Sequence, residues 1–67
     1  MKTTKLASDE LKTIVAETVC VAAITAVVEG RFAEAIQILE TRACSPYFNH
    51  AVFGADYRRA IEAIRAA

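Results

Sequence analysis

The most reactive side chains in this chain are two thiols and one imidazole: Cys20, Cys44 and His50. Brought together in a cleft, a thiol and a histidine would make a nucleophile and its base. With Asp56 as a fourth ligand, the same three could hold a zinc ion. Structural zinc takes its ligands at tight local spacings such as Cys-x₂₋₄-Cys, whereas these candidates are spread from position 20 to position 56. Cys20 stands in an apolar run, where a thiol is buried and inert by default; Cys44 is expected to be accessible and the more reactive. A lone histidine among aromatics reads as a surface or packing residue. No Ser-His-Asp set and no glycine-rich phosphate loop occurs. The expectation is a protein that is not an enzyme, with no cofactor, no metal and no catalytic residue.

Arg58, Arg59 and Arg65 raise nucleic-acid binding. They are interleaved with Asp56 and Glu62, and eight basic residues balance eight acidic ones for a net charge of zero. The global field therefore does not draw the chain to nucleic acid or to an anionic membrane. A solvated helix face is the simpler reading, and a small nucleic-acid-binding regulator using this C-terminal arginine face is the alternative one. The stronger signal is aromatic. Of five aromatic residues, Tyr47, Phe48, Phe53 and Tyr57 fall close together around Asn49 and His50, with Arg58 and Arg59 adjoining. Tyrosine and arginine are the side chains that interface centres favour. A tyrosine ring can also pack while its hydroxyl faces out. Tyr47, Phe48, His50, Tyr57, Arg58 and Arg59 are thus the expected partner-binding residues, and the partner is expected to be a larger protein.

The elements that must position these residues are helical. Val19 to Val28, VCVAAITAVV, is uncharged and too short to span a bilayer, which takes ~20 residues. On a helical wheel Val19, Val21, Ala22 and Val28 fall to one side and Cys20, Ile24 and Val27 to the other, so the segment must be covered on more than one face. Ser8 as N-cap, with Asp9 and Glu10 in the first turn, predicts one helix from there to Glu29. Leu11, Ile14 and Val15 face inward, and Gly30 closes it. Arg31 to Ala43 repeats apolar residues at Phe32, Ala35, Ile36, Leu39 and Ala43, and a single glycine before it predicts an antiparallel hairpin. Ser45-Pro46 opens a short helical turn over 47–53 ended by Gly54. A last helix, Ala55 to Arg65, buries Tyr57, Ala60, Ile61 and Ile64, with Arg58–Glu62 as an i,i+4 ion pair. The hairpin would bring Cys20 and Cys44 within ~6 Å along its axis, yet a cytoplasmic thiol stays reduced. Asp9, Glu10 and Glu17 interrupt any signal-peptide core, and a cytoplasmic location is expected.

Glu29-Gly30-Arg31-Phe32-Ala33-Glu34-Ala35-Ile36, followed by Leu39, resembles the turn and second helix of a tetratricopeptide repeat. Ala22 and Ala23 stand near that family's Leu-Gly pair. Ala26 replaces its usual aromatic, and Arg42 stands where a small residue is normal. The resemblance covers residues 16–49 and implies a single packed hairpin that binds protein. In size and character the chain is also similar to small regulators and inhibitors encoded by phages and mobile elements, anti-CRISPR proteins among them.

Sixty-seven residues make one small all-α domain, residues 1–67, with 1–5 expected to fray. Such a chain buries only ~60% of its unfolded surface and keeps ~3–5 kcal/mol of core stability. With an apolar fraction of 55%, it is expected to form a homodimer. Cys20, Ile24 and Val27, opposite the face that the second helix covers, are the expected self-association residues.

Overall fold

Thr18, Val19 and Val21 are β-branched and lose side-chain freedom in a helix. The chain leaves the helix at this point. In the computed structural model, which describes residues 8–67, α1 is Ser8–Ala16 and α2 is Val21–Val28. The single helix expected from Ser8 to Glu29 is therefore two. The Thr18 hydroxyl holds the break together, donating to the Val15 carbonyl at 2.6 Å and accepting from the Cys20 N–H at 3.3 Å. Thr18 is itself buried. Val19 turns the chain with φ = 55°, a left-handed conformation that β-branched residues rarely adopt. The fraying expected at residues 1–5 lies outside the described residues.

Gly30 closes α2 as expected, at φ = 80°. Its N–H donates to the Val27 carbonyl and that of Arg31 to the Ala26 carbonyl, the paired bonds of a Schellman motif. Arg31 also bridges Glu29 and Glu34. From there α3, Phe32–Ala43, packs against α2. The facing residues are small: Ala23 and Ala26 on α2 and Ala35 on α3 are fully buried, with Leu39 filling the space beyond.

At Ser45-Pro46 the chain makes a turn rather than a helix start. The Ser45 hydroxyl accepts from the Tyr47 N–H at 3.2 Å. The cap is Asn49, whose side-chain oxygen accepts from the Val52 N–H at 3.2 Å. It opens α4, His50–Ala66, which runs straight through Gly54. The separate 47–53 turn and the later start at Ala55 are thus corrected to one helix. Glycine inside a helix costs ~1 kcal/mol against alanine, while the continuous stripe Phe53, Tyr57, Ala60 and Ile64 gains more by burial.

Helix α4 packs on both α3 and α1, and α1 also packs on α2, so each helix touches its chain neighbours and the last touches the first. The core comprises Leu11, Val15, Cys20, Val27, Leu39, Tyr57 and Ile64, with five alanines between them. All elements are helical, and no described helix is long and apolar enough to cross a membrane. The expected Arg58–Glu62 pair is replaced, among the described residues, by Arg59 with Glu17 at 3.6 Å and Arg65 with Glu40 at 2.9 Å. Packed between α1 and α3, α4 finds carboxylates on either side.

Candidate functional site

The Cys44–Asn49 connection brings the aromatics together because Asn49 starts α4 directly beneath it. The Phe48 ring meets the His50 ring and the Tyr57 ring edge-on, each at 4.6 Å between centroids. Phe53 stands behind them, 6.4 Å from Phe48 and 6.5 Å from Tyr57. Tyr57 is buried, Phe48 and Phe53 are half-buried, and Tyr47 is 94% exposed.

Tyr47, Phe48, Phe53 and Tyr57 form one wall of an open cleft of about 500 Å³; Thr18 and Val19, in the turn between α1 and α2, line it as well. Arg42 enters from α3. Interaction with the Tyr57 side chain, ahead of the negative charge that Cys20 carries as a thiolate, raises the Arg42 guanidinium above its ordinary pKa. A second groove of about 320 Å³ lies between α3 and α4, lined by Phe48, His50 and Arg58 together with Glu40, Glu62 and Arg65.

The six expected partner-binding residues do not form one patch. Tyr47 lines the first cleft, His50 and Arg58 the second groove, and Phe48 and Tyr57 both. Arg59 is on the side facing α1, in a recess with Asp9, Glu10, Thr13 and Ile14. Tyr57 is a core residue as well as a lining one, because its position on the α4 stripe turns the ring inward. Phe53 is only half-buried, so truncating it should cost less than removing a fully buried ring.

The residues expected for self-association need a larger correction. Cys20 and Val27 are buried within one chain, and Ile24 is half-buried against the core. The wheel separates the two faces correctly, but α3 and α1 cover the Cys20–Val27 side. Val19, Val21 and Val28 are the exposed set, at 69%, 74% and 55%.

Two lining features escape the sequence reading. Val19 and Thr18 reach the cleft only because the helix breaks, and no glycine or proline marks that break. Arg42 did leave a signal, as a long cation where the tetratricopeptide pattern has a small residue. Both cysteines are free thiols, Cys20 buried and Cys44 exposed, in line with the contrast expected between them. Among the described residues, no group of three His, Cys, Asp or Glu side chains could hold a metal ion.

No protein-family model, curated protein or solved structure matches the chain.

Proposed function

We propose that this protein is a non-enzymatic regulator or inhibitor that binds a larger protein through the ring-lined cleft at the α3–α4 connection. The observation that carries the reading is Tyr47, an aromatic side chain left 94% exposed beside a cluster of packed rings. A rigid aromatic next to a preformed wall is the composition of an interface anchor. The imidazole of His50 is engaged edge-on with Phe48 and the Cys20 thiol is buried, an arrangement suited to packing rather than nucleophilic chemistry. In this reading α2 and α3 form an antiparallel hairpin of the tetratricopeptide kind. The protein works in the cytoplasm, in the manner of small phage or mobile-element anti-defence proteins.

Nucleic acid is the weaker reading. Of the three C-terminal arginines, Arg59 and Arg65 already face carboxylates, which offsets the charge that phosphate contacts would use. A homodimer belongs to the proposal, with a second copy on the outer face of α2. Val21, Thr25 and Val28 give that face no charge.

A photo-crosslinking residue at position 47, with position 37 on the exposed side of α3 as control, tests the function in the native host. A discrete protein adduct from 47 and none from 37 is expected. No adduct at 47, or the same adducts from both, would overturn it. For the dimer, Val28→Glu should shift sedimentation to the monomer while keeping the helical spectrum. Wild type that sediments as a monomer at micromolar concentration defeats that part.

A further inference from the structure

The cleft carries more information than its rings. Among the described residues that line it, only Arg42 is charged and none is a carboxylate. Among the described residues Arg42 has no acidic partner within ion-pair distance, nor does Arg58, whereas Arg31 has two and Arg59 and Arg65 have one each. Its neighbours in the cleft are rings and neutral polar groups, and three of the latter are engaged: the Thr18 hydroxyl donates to Val15 and accepts from Cys20, the Ser45 oxygen accepts from the Tyr47 N–H, and the Asn49 oxygen accepts from the Val52 N–H. The donors left over are the Arg42 guanidinium fork, the Ser45 hydroxyl, the Asn49 amide N–H groups and the tyrosine hydroxyls. Around them stand Phe48, Phe53, Tyr47 and the outward side chain of Val19.

We propose that the cleft reads a short acidic segment of the protein partner, in which one carboxylate adjoins an aromatic or large apolar side chain. This rests on the protein-binding reading above and names what the partner presents. One cation with no acid beside it matches a single negative charge. A carboxylate meets arginine through two parallel N–H···O bonds. A phosphate dianion would call for further cations, and the described residues lining the cleft supply none. The rings supply the apolar half of the site, next to the charge. Tyr57, buried in the core and lining the same cleft as Arg42, acts as a positioning residue.

The test uses the full chain, isotopically labelled for NMR, and three blocked hexapeptides. The first is acetyl-Gly-Ser-Glu-Phe-Ser-Gly-amide. The second replaces its glutamate by glutamine, and the third by phosphoserine. Saturable shifts at the amides of Val19, Tyr47 and Phe48 are expected with the glutamate peptide, with binding at least tenfold weaker for glutamine. Arg42→Gln should abolish that preference and Arg42→Lys should retain part of it, each variant being checked by a thermal melt. Tyr57→Phe, which keeps the ring, should reduce the preference severalfold. Equal binding of the glutamate and glutamine peptides would overturn the proposal. So would a phosphoserine peptide that binds tenfold more tightly than glutamate. Absence of shifts with all three would also sink it, while the crosslinking result at position 47 would still decide the broader function on its own.

Discussion

Val19 concentrates most of what is unusual in this chain at a single residue. A left-handed conformation costs a β-branched residue ~1–2 kcal/mol, and nothing in its side chain offsets that, since it is 69% exposed. Asparagine tolerates the same backbone, so Val19→Asn should raise stability by ~0.5–1 kcal/mol. A rise of a few degrees in the thermal midpoint checks this. If the midpoint falls, the side chain is needed where it stands. The thiols give a second expectation at this scale. Cys44 is exposed and Cys20 buried, so a thiol probe should label Cys44 quickly and Cys20 only through opening of the fold. Equal rates would contradict the burial of Cys20. The burial contrast between the thiols was legible in the sequence. The conformation of Val19 was not, because no glycine or asparagine marks a left-handed turn there.

Among the elements, α4 is where local preference and packing disagree. Gly54 lies within it, and a methyl group there would meet only the His50 Cβ, at an ordinary 3.7 Å. Gly54→Ala should therefore stabilise the protein by ~0.5–1 kcal/mol. Asn49→Ala should cost ~1 kcal/mol by removing the cap that accepts from Val52. Denaturant titration of both variants checks the pair; a destabilising Gly54→Ala would mean the glycine serves something other than helix continuity. The inward faces of α1, α3 and α4 were legible from their period, except at Phe32, which is exposed. The boundaries were less so. Ser45-Pro46 signals a helix start and Gly54 a stop, yet the cap is Asn49 and Gly54 is carried by the apolar stripe on either side of it. The actual break, at Thr18 and Val19, bears only the weaker mark of clustered β-branched residues. The faces of α2 could be separated by its wheel, but which one is covered depends on where α1 and α3 approach, and that is a tertiary fact.

At the scale of the whole molecule, the core has few large side chains. Leu39 is fully buried on α3, the helix that packs on both α2 and α4. Leu39→Ala should cost ~2–5 kcal/mol, comparable with the whole ~3–5 kcal/mol such a domain retains. The variant is expected to lose its cooperative melt at room temperature; a wild-type-like melt would show a reserve from elsewhere, such as a second copy. The cleft was half legible at this scale: its rings came from one stretch of sequence, its far wall from a break that could not be seen. The uncharged helix α2 has one further consequence. When α2 lifts from α3 and α1, it releases a run rich in valine, with isoleucine and threonine, that suits a cross-β stack better than a helix. Glu17 on one side and Glu29 and Arg31 on the other are the only charges that flank it. Those three residues then act as gatekeepers against fibre growth, and neutralising them should shorten the lag before aggregation far more than it changes the melting temperature.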